Sequence, residues 1–224
     1  MKRSALEPNY EDLPAEIPIF PLNGALLLPG GKLPLNIFES RYLSMVADAL
    51  ADHRLIGMIQ TNQESSDAGI NPPLYTTGCL GRLSSFEETS DGRFLITLSG
   101  VIRFRVVEEL SIKSGYRRIC ADYSSFASDL QVQEPVIDRS RLLRVLKQYF
   151  SFKGFTADWD SIQNCETERL VTTLAMICPF SVGEKQALLE ALSTPIRAEM
   201  MSTMLEMAVS SHEFGQQDEG NVRH

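Results

Sequence analysis

The hydrophobic period of this chain changes once, and that change limits its possible folds more than any other feature. In "SDGRFLITLSGVIRFRVVEEL", Phe94, Ile96, Leu98, Ile102, Phe104 and Val106 keep one parity across Gly100. A period of two sends one row of side chains to a core face, so the stretch reads as a long strand that Gly100 bends or breaks. From about Val136 the period is helical. Leu142, Val145, Leu146 and Tyr149 share one stripe, and Leu170, Leu174 and Ile177 share another. The expectation is an α+β chain: a β-rich part over residues 16–130, then a bundle of about four helices over residues 131–210.

Turn and cap chemistry refines this outline. "IPIFPL" is a short apolar run broken by prolines, which suits an edge strand. Pro29-Gly30-Gly31 predicts a turn between two apolar runs, Asp91-Gly92 a tight turn, and the glycines of "GCLG" β-bulges. "RLIGMIQ" reads as a buried strand, "YRRICADYSSF" as a further one, and "TNQESSDAGINPP" as a surface loop. Ser181 with Glu184 is a capping box, and Thr194-Pro195 predicts an N-cap followed by the first helical residue. Trp159 is expected to anchor the helical part. Residues 1–15 read as a polar arm and residues 211–224 as a disordered tail.

Hydrophobic content of 43% supplies a core without disulfides or metal. Cys79, Cys120, Cys165 and Cys178 are scattered, with no C-x-x-C pair, and read as reduced thiols. Neither a signal-peptide core nor an 18-residue apolar run is present, so a cytoplasmic location without membrane contact is expected. The net charge of −8 disfavours nucleic acid. The basic run Arg103, Arg105, Lys113, Arg117 and Arg118 stands against Glu108, Glu109 and Asp122, and reads as solvated strand faces before it reads as a binding patch.

Catalytic constellations are missing. His224 and His212 lie in the expected tail, leaving His53 alone, too little for a histidine triad or a His-ligated metal. "NGALLLPGGKL" misses the Walker spacing, and Glu87-Glu88 is a carboxylate pair of the kind chance supplies. No cofactor is expected. Met200, Met201, Met204 and Met207 at helical spacing read as packing more readily than as a client groove.

The corner "LPLNIFESRYLSMVADAL" carries the one concentration of charge and aromatic rings. Leu33, Leu35 and Ile37 alternate as a half-buried strand; Phe38, Tyr42, Met45, Val46, Ala49 and Leu50 form a helical stripe. Glu39 stands at the helix start, where a carboxylate can accept from free backbone N–H groups. Arg41 is misplaced in a first helical turn, so a carboxylate or loop carbonyls should hold it. A structural role outweighs catalysis here.

"IPIFPLNGALLLPGGKLPLNIFESRY" resembles the opening of the Lon N-terminal domain, the substrate-recognition part of ATP-dependent Lon proteases, and within that family the free-standing Lon-domain proteins. The resemblance continues through "GCLGRL", "DGRFLITLSGVIRFRV" and "CPFSVGEKQALLEALSTPIRAEMMSTML", covering roughly Glu16 to Val209. It implies a PUA-like β pseudo-barrel with a strand-to-helix corner, followed by a helical bundle. No segment resembles the ATPase or the Ser-Lys peptidase of Lon, so a non-catalytic protein-recognition module is expected, with protein or peptide clients, unfolded segments among them. Phe38, Glu39, Arg41, Tyr42 and Arg103 are the candidate contact residues. An RNA- or small-ligand-binding PUA-like protein is the alternative.

Overall fold

The structure, a computed structural model, describes residues 8–62, 72–131 and 136–219, with residues 211–219 described by their backbone alone. Most of the expected loop between Thr61 and Pro73 and the ends of the expected arm and tail therefore lie outside the described residues. The chain divides into two compact units. One groups Met1–Gln133 with Met176–Glu190; the other groups Glu134–Ala175 with Ala191–His224.

Among the described residues, six strands build the first unit: β1 (Glu16–Pro21), β2 (Lys32–Ile37), β3 (Leu55–Ile59), β4 (Thr77–Glu88), β5 (Phe94–Lys113) and β6 (Tyr116–Asp122). Helix α1 (Ser40–Ala51) follows β2 directly. The strand order is β2-β5-β4-β3-β1-β6, and β6 pairs back onto the far half of β5. This is a rolled sheet, a pseudo-barrel rather than a closed barrel, and β2 lies outside the roll, pairing with β5 alone among the described residues.

The long β5 makes the roll possible. Its first half pairs with β4 and β2, its second with β6. At Gly100 the strand passes so close to the preceding loop that a Cβ would land on the Leu28 carbonyl oxygen. Gly100 also exchanges backbone hydrogen bonds with Gly30 and Gly31, at 3.0 and 2.9 Å. The sequence left open whether the strand bends or breaks there; it runs through, with a register shift between Leu80 and Gly81. Ile17, Ile19, Leu80, Ile102, Phe104 and Ile119 form the heart of the core inside the roll.

One strand expectation is corrected. β1 is not an edge: it pairs with β3 in parallel and with β6 antiparallel. The two ladders overlap only at Ile19, so Pro18 and Pro21 each face one neighbour, which is how a central strand tolerates proline here.

Helix α2 (Arg139–Lys153) buries the expected stripe of Leu142, Val145, Leu146 and Tyr149. Asp138 caps its start and Gly154, left-handed, ends it. Helices α3 (Trp159–Asn164), α4 (Thr167–Ile177) and α6 (Thr194–Glu219) complete the helical part of the second unit. Arg139 ties three segments, donating to Thr167 Oγ1 and to the carbonyls of Ile162 and Gln163. Trp159, half-buried, packs on Phe150 at 5.7 Å between ring centroids. Ile177 departs from its expected stripe and is 66% exposed. Helix α6 starts at Thr194, one residue earlier than its caps suggest, with Ser193 Oγ accepting from the Ile196 N–H. The helix continues to Glu219, through residues expected to form a tail. Within the expected arm, Tyr10–Asp12 form one 3-10 turn.

Helix α5 (Val182–Glu190) is the main departure from a linear division at residue 130. The capping box opens it: Glu184 Oε2 accepts from the Ser181 N–H at 2.8 Å, and Ser181 Oγ from the Glu184 N–H at 3.3 Å. It then groups with the sheet, because its polar side chains are buried there. Gln186 donates to the Thr77 carbonyl and accepts from Gln60, whose amide also bonds the Val182 carbonyl and the Gly24 N–H. Lys185 Nζ donates to the carbonyls of Gly24 and Met176, at 2.6 and 3.3 Å.

Candidate recognition surface

At the corner, Glu39 occupies the N-cap of α1, and its backbone carbonyl accepts from the N–H groups of Tyr42 and Leu43. Its carboxylate does not cap the helix, contrary to expectation. It holds Arg41 instead, accepting from Nε at 2.9 Å, with the second guanidinium nitrogen at 2.8 Å. The misplaced arginine thus has the carboxylate partner it was expected to need. Its guanidinium also lies over the Tyr42 ring, 4.5 Å from the centroid.

Tyr42 itself is buried against Phe20, with ring centroids 4.2 Å apart. Burial pushes its hydroxyl pKa up, against the opposing pull of Arg41. The aliphatic base of Arg41 rests on Gly115, left-handed in the turn between β5 and β6, where a Cβ would come within 3.1 Å of the Arg41 Cβ. Phe38 precedes the helix rather than joining its buried stripe, because α1 begins only at Ser40, and it is 65% exposed.

Arg103 does not belong with the accessible residues, and its candidacy as a contact is corrected. Only 3% exposed, it grips Asp129 with Nε and Nη2 at 2.8 and 2.7 Å and donates Nη1 to the Leu189 carbonyl of α5. Its guanidinium covers the Phe126 ring. This is a buried fork fixing two neighbouring segments to β5. The rest of the basic run is likewise engaged: Arg117 with Glu109, Arg118 with Glu16, Lys113 with Asp48, and Arg105 over Phe126.

The strands outside the roll expose a second group of residues, which the sequence reading missed. β2, β5 and β4 extend together toward the β4–β5 turn. Cross-strand partners share a face. Leu35, Ile96 and Phe86 make one row; Ile37, Phe94 and Glu88 make the next on the same face. Burial is uneven on it: Leu98, Ile96 and Ile37 are enclosed, whereas Phe86 is 41% exposed, touching Phe94 edge-on at 5.0 Å. On the opposite face Leu95, 40% exposed, lies between Asn36 and Glu87. The one signal for this in the sequence was "FEE", where alternation fails at the end of a strand.

A cleft of about 600 Å³ opens where the end of α1 meets β1 and the β5–β6 turn. Its charges satisfy one another: Asp48 accepts from the Tyr116 hydroxyl at 2.7 Å and pairs with Lys113 at 3.0 Å, and Arg118 pairs with Glu16. The Tyr116 bond, then Lys113, holds the Asp48 carboxyl below its usual pKa. His53 at its rim faces Asp52 at 3.3 Å. Among the described residues, no three His, Cys, Asp or Glu side chains are placed to hold a metal ion, and no helix is long and apolar enough to cross a membrane. All four cysteines are free.

A rolled sheet with an overhanging three-stranded edge, joined to helices, is the fold of Lon N-terminal domains. The structure is similar to a Lon N-terminal domain protein from Xanthomonas campestris, with a TM-score of 0.55 and 23% identity over 83% of this chain and 96% of that one. It is equally similar to the N-terminal domain of a Mycobacterium avium complex Lon protease, with a TM-score of 0.56 and 12% identity over 85% and 98%. Residues 16–207 match the family model described as the ATP-dependent protease La (LON) substrate-binding domain, and the chain belongs to that family. It is 26% identical over 88% of its length to the Lon protease of Anaeromyxobacter dehalogenans and to Lon protease 2 of Myxococcus xanthus. It spans about a quarter of each, 24%.

Proposed function

We propose that this chain is a non-catalytic protein-recognition module that takes up exposed apolar segments of client polypeptides on the overhanging edge of its sheet. One observation carries the reading. Phe38, Phe86 and Leu95 stand 65%, 41% and 40% exposed around one end of β2, β4 and β5, in a family described as substrate-binding. Leu95 faces away from Phe86, so this end exposes large apolar side chains on both of its faces, and such a concentration marks a contact site where a single side chain does not. Phe38 and Tyr42 keep different parts in it: Phe38 is exposed to a client, while Tyr42 is buried against Phe20 and the Glu39–Arg41 pair lies between them in sequence. RNA has no comparable surface, since the basic run is engaged internally.

The test is binding of a permanently unfolded polypeptide, a reduced and alkylated globular protein, to the wild type and to a Phe38→Ser/Phe86→Ser/Leu95→Ser variant. These side chains are exposed, so the variant keeps its fold while its affinity falls at least about tenfold, roughly 1.4 kcal/mol. Unchanged affinity in a folded variant refutes the proposal.

A further inference from the structure

The overhanging edge carries charge as well as apolar surface, and the charge is of one sign. Glu88 is the direct cross-strand partner of Phe94, and Glu87 of Leu95, so each face of the edge sets a carboxylate beside an apolar side chain. Both glutamates are exposed, and neither has an ion-pair partner among the described residues. The neighbouring charges cancel locally. Asp91 in the β4–β5 turn pairs with Arg93 at 2.9 Å, and Glu39 beside Phe38 pairs with Arg41 at 2.8 Å. What remains around Phe86, Phe94 and Leu95 is two uncompensated negative charges.

We infer that the occupant of this surface is a cationic apolar segment: a stretch of client chain in which aromatic or branched apolar residues are followed closely by lysine or arginine. The inference rests on the protein-recognition reading and adds a charge rule to it. An apolar side chain of the client meets Phe86 and Phe94, or Leu95, and the adjacent cation meets the glutamate opposite. Such pairs lie at the surface, so the attraction is modest and falls with salt. Its effect is to rank clients. Acidic segments of equal apolar content are repelled.

The experiment is fluorescence anisotropy with three peptides that share one aromatic-apolar core and are flanked by lysine, serine or aspartate. At about 50 mM salt the lysine peptide should bind about 5–10-fold more tightly than the serine peptide, and the gap should close at about 500 mM. Glu87→Gln/Glu88→Gln should abolish the gap and leave serine-peptide binding intact. Glu87→Lys/Glu88→Lys should reverse the order in favour of aspartate. Equal binding of the lysine and serine peptides overturns the charge rule and leaves the recognition surface standing. A lysine preference that survives both double variants places the charge elsewhere and overturns it too. Failure of all three peptides to bind overturns the recognition reading itself.

Discussion

Two regions of the first unit use the same kinds of side chain to opposite ends. Around α5, Arg103, Gln60, Lys185 and Gln186 are buried, and every one donates to a named acceptor. No buried side-chain nitrogen or oxygen among the described residues lacks a hydrogen bond. At the corner and the overhanging edge, Arg41, Glu39, Glu87 and Glu88 stand in or near water beside apolar rings. A buried polar network is either fully satisfied or very costly, so the first region cannot vary without consequence for the fold. An exposed charge contributes little to stability, so the second is free to serve recognition.

Arg103→Met would break this comparison most severely. It leaves the Asp129 carboxylate buried without its partner, and a loss of about 3–5 kcal/mol is expected in urea denaturation. Replacing Asp129 with Leu in the same chain should recover much of the loss, since a missing pair is milder than an orphaned charge. A loss below about 1 kcal/mol for the single variant would mean that water reaches the site.

A smaller effect should appear at alkaline pH. Cys178, just before α5, has its thiol pushed up from 9.0 to about 11 by burial. The fold favours the neutral thiol, so this contribution is present below pH 9 and is lost as pH rises towards 11. Lys185 is shifted down by burial, so its contribution has the opposite slope, rising with pH in the window below 10.5. Between pH 9 and 11, Cys178→Ala should therefore lose stability less steeply than the wild type, by up to about 1.4 kcal/mol per pH unit. Parallel pH curves would show that the thiol ionises as freely in the fold as outside it.

The smallest change is expected at the corner. Arg41→Ala removes an ion pair whose partners are 41% and 46% exposed, so stability should fall by less than about 1 kcal/mol in thermal melts. A larger loss would move Arg41 from the second class of region to the first.

The contrast also explains what the sequence made legible. Strand parity in β5, the half-buried alternation of β2 and the buried stripe of α2 all follow from one-sided burial, which leaves a period in the chain. Arg103 breaks that logic. Its parity points away from Ile102 and Phe104, towards an outer face, but the 3-10 segment Ser124–Leu130 covers that face. Lys185 and Gln186 mislead in the same way, because polar residues in a helix suggest solvent and here meet backbone carbonyls. Phe38, expected on a helical stripe, lies two residues before the helix starts and is exposed. The edge beyond it was not read, because exposure at the end of a strand leaves no period to find.

The placement of α5 bears on how the molecule is made. β6 ends at Asp122, but α5 does not begin until Val182, roughly sixty residues later. At about 5–20 residues per second, a ribosome needs roughly 3–12 s to cover that interval. For those seconds the nascent sheet waits with Arg103 and Gln60 lacking acceptors on α5, so the part of the chain that is synthesised first cannot finish folding until most of the chain has been made.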